Sequence, residues 1–183
     1  MGETLIVAAG RVTDAAWTSS LIAVAVLAVA VTCGLWWSYF PRAKPVLEQA
    51  LESVQGAEQS RMARDVFSLI HFPMLCGIIA YAFAVEEIAA HPGQPLPLEA
   101  RVAVAVGLVL FVGGMAVAIR RATGYLLLPR IILTVGTAIA VVAVSEASGV
   151  LNMAIAFAGI LAIAIVEQRG DKLVRVQPHQ QDQ

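Results

Sequence analysis

Five apolar stretches, at residues 20–40, 66–87, 102–119, 126–145 and 150–166, alternate with short polar segments along the chain. Most reach the roughly 20 residues that a helix needs to cross a hydrocarbon core about 30 Å thick. The first runs without a charge from residue 15 and ends in Trp36-Trp37-Ser38-Tyr39-Phe40. Such rings suit the headgroup boundary, and neither a basic leader nor a small-residue cleavage site makes this run a signal peptide. The fourth stretch is short unless residues 125–128 join it and Arg130 snorkels back to the membrane surface. Between the fourth and fifth, Ser145-Glu146-Ala147-Ser148-Gly149 predicts a tight turn. In the polar segment 41–65, Val46, Leu47, Ala50, Leu51 and Val54 recur at helical spacing opposite Glu48, Gln49, Glu52 and Ser53. They predict a short helix that either lies on the membrane surface or packs on its neighbours. The fold class is therefore all-α, a polytopic transmembrane helical bundle forming one membrane domain.

Composition strengthens that reading. Hydrophobic residues make up 59% and charged residues 14% of the chain, against the roughly 45 to 50% and 25% of soluble domains. Charge placement adds a direction. Arg42, Lys44, Arg61 and Arg64 follow the first stretch, Arg120, Arg121 and Arg130 the third, and Arg169, Lys172 and Arg175 the fifth. Only Arg11 and Arg101 lie elsewhere. Cytoplasmic loops retain Lys and Arg, which predicts a multi-pass protein of a bacterial cytoplasmic (inner) membrane with residues 41–65, 120–130 and the tail 167–183 inside. The tail, polar and glutamine-rich, is expected to fray. The bilayer is the expected partner, and nucleic acid is not.

Polar residues within or beside the spans are the candidates for function. His71 lies six residues past Asp65, about 9 Å into the second span. Pro73 cannot donate to the Leu69 carbonyl, so a disturbance of the helix between Leu69 and Pro73 is expected. Trp36 and Trp37 reach a similar depth on the antiparallel first span, which makes a His–Trp contact geometrically plausible. Arg64 shares a face with His71, whereas Asp65 is rotated by about 120°, so direct pairing of Asp65 with His71 is not expected. Glu86 and Glu87 stand at the opposite boundary, Glu86 about 22 Å beyond His71. Any relay between them needs Tyr81, Thr32, Thr134 or Asn152, together with water. His71 and the rim glutamates have an alternative role as structural polar groups, His71 bonding a carbonyl and Glu87 simply solvated.

Other chemistry finds no template. His71, His91 and His179 fall in different compartments, and Cys33 and Cys76 lack ligand spacing and read as small hydrophobes. There is no phosphate-binding glycine loop and no G-x-S-x-G element. No metal, cofactor or enzymatic activity is expected. Ala103 with Gly107, Gly114 with Ala118, and Gly136 with Ala140 allow close helix approach, which ordinary bundle packing explains.

Gly2-Glu3-Thr4-Leu5-Ile6-Val7, Trp36-Trp37-Ser38-Tyr39-Phe40, and Ala63-Arg64-Asp65 leading into His71-Phe72-Pro73-Met74-Leu75-Cys76-Gly77-Ile78 together resemble the bacterial low temperature requirement A family. The resemblance covers the stretch from Gly2 to about Glu87 and extends beyond it in general hydropathy. It implies an integral membrane protein, in a family named for a growth phenotype, and no particular reaction or cofactor. Members look about twice as long and carry an acidic-aromatic helix near their start that this chain lacks. The resemblance thus implies the C-terminal half, with residues 1–10 the remnant of a preceding helix and Glu3 an intramembrane carboxylate on the same side as Glu86. A missing N-terminal half, or a homo-oligomer, is the partner this implies.

Two functions follow as expectations. One is a proton- or ion-coupled carrier or channel-like pathway in which Glu3, His71 and Glu86 titrate or contact solute, supported by Trp36, Trp37, Arg64, Asp65 and Pro73. The other is a non-transporting membrane scaffold or sensor in low-temperature or stress adaptation, whose polar residues fix helix packing. Interrupted helices favour the first.

Overall fold

Helix accounts for every apolar stretch in the computed structural model, which describes residues 18–168 and the backbone of 169–175. Five helices follow in order among these residues: α1 Ser19–Glu52, α2 Gly56–Ala90, α3 Leu98–Thr123, α4 Leu128–Ala143 and α5 Gly149–Arg175. All but α4 are long and apolar enough to cross a membrane; α4 has 16 residues, about 24 Å of helix. Residues 1–10, with Glu3, lie outside the described residues. The helix over α5 continues past residue 167 to Arg175, where a frayed tail was expected.

Local chemistry sets the boundaries. Thr18 opens α1, its hydroxyl accepting the Leu21 N–H at 3.2 Å, which satisfies one orphan donor of the first turn. Gly124, at φ 78°, closes α3, and its N–H bonds back to Arg120 at 2.8 Å. The left-handed conformation is open to glycine without a Cβ penalty. Pro129 then sits in the first turn of α4, where its missing N–H costs nothing. Residues 125–127 are not helical, so they do not lengthen the fourth span.

Each helix packs on the next in sequence, and α5 returns to α1, closing a ring. Val31, Ala84, Val85, Ile88, Val104, Met115, Val141, Met153 and Ala156 are fully enclosed by it. Two glycine backbones meet where α2 crosses α3, at Gly77 and Gly107. A Cβ on Gly77 would lie 2.8 Å from the Gly107 carbonyl oxygen, and one on Gly107 would lie 2.9 Å from that of Gly77. Backbones this close gain dispersion contacts that a larger residue would abolish. Gly136, by contrast, has nothing within 4 Å of its added Cβ.

The ring has two chemically different ends. At one, the α2–α3 and α4–α5 connections are tied by Leu96 N–H to Ala147 O at 3.1 Å and Gly149 N–H to Gln94 O at 3.2 Å. At the other, Arg121 of α3 bonds Glu58 and Asp65 of α2 at 3.0 and 3.1 Å. The segment 44–52 continues α1 and packs on the nearby end of α3. Leu47 is buried, and Ala50, Leu51 and Val54 pack against the core, whereas Val46 is turned outward. The apolar stripe of this segment thus meets protein along most of its length.

Candidate functional site

Three of the five helices contain a π-turn: Tyr39–Ala43 in α1, Asp65–Leu69 in α2 and Val109–Gly113 in α3. Such turns release carbonyls from the regular ladder and recur at functional positions. All three flank a layer of polar side chains near the basic end of the ring.

On one side of α1, His71 meets Tyr39. The Tyr39 hydroxyl lies 3.2 Å from His71 Nε2, and the rings stand edge to face at 5.5 Å. The α2 π-turn makes the other contact. Ile70 N–H bonds the Asp65 carbonyl, five residues back, which deprives the Val66 carbonyl of its regular helical donor; His71 Nδ1 stands 3.4 Å from that oxygen. The tautomer with hydrogen on Nδ1 satisfies both contacts, donating to Val66 and accepting from Tyr39. The expected contact with Trp36 or Trp37 is not made. Leu35 and Tyr39 share the buried face of α1 at i, i+4, while Trp36 and Trp37 are rotated off it and about half exposed. The disturbance expected between Leu69 and Pro73 occupies the preceding turn, Asp65–Leu69, and Ile70.

Ser38, the neighbour of Tyr39, looks to the other side and receives a hydrogen bond from Arg130 Nη2. Arg130 is only 3% exposed. Its Nε stands 2.7 Å from Glu167 Oε1 of α5, a close ion-pair contact rather than an aligned hydrogen bond. Its Nη1 donates to Met115 Sδ of α3 at 3.1 Å, and Arg42 Nη1 stands 4.0 Å from Glu167 Oε2. Arg130 therefore does not snorkel. The late start of α4 places it in the first helical turn, facing α1, α3 and α5, and those neighbours supply partners where water would otherwise be needed. The layer runs from His71 through Tyr39 and Ser38 to Arg130 and Glu167, with Met115 alongside, so every helix of the ring contributes.

The other singled-out residues lie apart from it. Arg64 and Asp65 pair with each other at 3.0 Å, and Asp65 also meets Arg121. Asp65 precedes the apolar run of α2; the hydrogen bond from Arg64, then that from Arg121, holds its carboxyl below the ordinary carboxylate range. It does not bond His71. Glu86 is half-buried near the far end of α2. Glu87 lies 3.5 Å from His91 at that rim. Of the proposed relay, Tyr81 and Thr32 converge on the Ala28 carbonyl at 3.1 and 2.8 Å. Thr134 bonds the Arg130 carbonyl and Asn152 the Ala147 carbonyl, so these residues form three separate groups.

Sequence reading missed Ser38, Tyr39, Met115, Arg130 and Glu167 as members of one site. Arg130 was an orientation marker and Glu167 the start of a tail. The available signal was their shared level: Arg130 interrupts the fourth apolar stretch, and Glu167 ends the antiparallel fifth.

Among the described residues, no group of three or more His, Cys, Asp or Glu side chains could hold a metal ion. A family model described as bacterial low temperature requirement A protein (LtrA) matches residues 1–166, extending well past the stretch that carries the sequence resemblance. No curated protein and no solved structure matches the chain.

Proposed function

The chain belongs to the bacterial low temperature requirement A family of integral membrane proteins, and from that premise we propose that it is a proton- or ion-coupled carrier working through the polar layer. The carrying observation is the Arg130–Glu167 pair between α4 and α5, its Arg130 buried and its Glu167 half-buried, joined to α1 through Ser38. An ion pair held within a membrane bundle contributes little net stability, because desolvation offsets much of its attraction. Intramembrane charges of this kind commonly mark solute and ion paths. A proton on Glu167 removes the counter-charge of Arg130 and raises its affinity for an anion; linkage makes the reverse equally true. The π-turns supply interruptions in α1, α2 and α3, as carrier helices commonly have near their sites.

His71, bonded to Tyr39 and aligned with the Val66 carbonyl, supports a second reading in which the layer is structural glue in a scaffold or sensor. Neither reading assigns covalent chemistry to the chain. The basic end is taken as the cytoplasmic side of the inner membrane by the Lys/Arg rule, and a homo-oligomer remains the proposed partner. Glu86, near the far end of α2, keeps its proposed role.

Purified chain in lipid vesicles, assayed for proton, cation and anion flux against protein-free vesicles, separates the two. A carrier gives flux above the blank that falls with His71→Ala and Glu86→Gln. A scaffold gives no flux above the blank.

A further inference from the structure

Arg121 of α3 bonds Asp65 of α2 at 3.1 Å, although a regular helix would turn Asp65 away from α3. The face that α2 presents to α3 is marked by Ile70, Met74 and Gly77. A Cβ on Gly114 would lie 2.7 Å from Met74 Cγ and 3.7 Å from the Ile70 carbonyl oxygen, and one on Gly77 would lie 2.8 Å from the Gly107 carbonyl oxygen. At about 100° per residue, an unbroken helix sets Asp65 roughly 120° from Gly77 and roughly 140° from Ile70. The π-turn Asp65–Leu69 inserts one extra residue, which takes back about 100° and leaves Asp65 within roughly 40° of both. The carboxylate thus reaches Arg121 because the turn is there. An interaction made in one of two backbone arrangements favours that arrangement, so the ion pair in return holds the turn.

The turn sets the chemistry of His71. The Ile70 N–H goes to the Asp65 carbonyl at 3.0 Å instead of to Val66, and His71 Nδ1 stands 3.4 Å from the Val66 oxygen. A bare Nδ1 there would face one lone pair with another. Neutral His71 therefore keeps its hydrogen on Nδ1 and offers Nε2 to the Tyr39 hydroxyl, 3.2 Å away. In a regular helix the Val66 carbonyl would take the Ile70 N–H, and this constraint on the ring would go. Tyr39 of α1 is the titratable side chain bonded to the ring, with Glu48 in electrostatic range of it, and Arg121 of α3 reaches Asp65 rather than the ring.

We infer that Asp65 and Arg121 are positioning residues for His71: their interhelical ion pair holds the α2 π-turn, and the turn fixes Nε2, facing Tyr39, as the nitrogen that takes up a proton. Uptake there makes Nε2 a donor and turns the Tyr39 hydroxyl from donating to accepting, so a proton bound on α2 is felt on α1. The use of this step in transport rests on the carrier reading. The tautomer does not, and it is measured without flux, so either can fail alone.

The test uses the full chain in lipid vesicles, with His91→Gln and His179→Gln leaving His71 as the sole imidazole, labelled with nitrogen-15. At about pH 9, above the ordinary imidazole range, the nitrogen shifts show which ring atom carries the hydrogen. With Asp65 and Arg121 in place, Nδ1 should be protonated and Nε2 bare. Asp65→Ala and Arg121→Ala should each move the larger share of the hydrogen to Nε2, the form that imidazole favours in water. Glu58→Gln removes the other acidic partner of Arg121 at the same end of the bundle and should leave Nδ1 protonated. Hydrogen on Nε2 in the parent chain, Nδ1 protonation that survives either alanine substitution, or an equal shift in Glu58→Gln overturns the inference.

Discussion

Arg130 decides what α4 does at the level of single residues. Three of its nitrogens face three other helices, and the cost of enclosing its charge is met by Glu167, Ser38 and Met115 together. Removing one member of such a pair costs more than removing both, because the survivor is left uncompensated. Arg130→Ala should therefore destabilise the bundle by roughly 3 to 5 kcal/mol, with Arg130→Ala/Glu167→Ala less costly than the sum of its single changes. Detergent-denaturation titrations of the four proteins measure this. Strict additivity would mean that the contact carries no coupling. The site was only partly legible for a related reason: His71 announces itself as a lone polar residue in an apolar run, but its partner depends on rotation about α1. Helical phase buries Tyr39 with Leu35 and turns the more conspicuous Trp36 and Trp37 outward.

At the scale of elements, hydropathy located all five helices, because uninterrupted apolar composition is a strong signal over 20 residues. It misjudged where they stop. Segment 44–52 is the short helix its spacing predicted, here continuous with α1, and 56–64 is helical as well, so α1 and α2 run well beyond their apolar parts. The short α4 is bounded instead by Gly124 and Pro129, whose effects are conformational and leave little trace in hydropathy. Close approach was visible only as an abundance of small residues; which of them touch depends on how the helices cross. Gly107→Val would drive a branched side chain into the Gly77 backbone and should cost about 1 to 3 kcal/mol or prevent folding. Gly136→Ala meets open space and removes backbone freedom from a helix, so it should stabilise by about 0.5 to 1 kcal/mol. The same denaturation assay tests both, and equal effects would contradict the assigned crossing.

For the whole molecule, the alternation of basic and non-basic loops matches the two ends of the ring. Residues 58, 65 and 121 meet at one end, and residues 94–96 and 147–149 at the other. If the basic end is cytoplasmic, an introduced cysteine replacing Gln94 should label from outside intact cells and one replacing Ser53 should not, with Cys33 and Cys76 first replaced. The opposite pattern would invert the orientation.

The central claim is that the Arg130–Glu167 pair serves transport, and Glu167→Gln tests it most directly. Glutamine keeps the volume and a hydrogen-bonding oxygen but does not ionise at working pH. In reconstituted vesicles the unaltered chain should carry proton-coupled flux above the protein-free level, and Glu167→Gln should return it to that level while keeping its helical circular dichroism. Flux no greater than that of empty vesicles for the unaltered chain, or full flux in Glu167→Gln, would contradict the account.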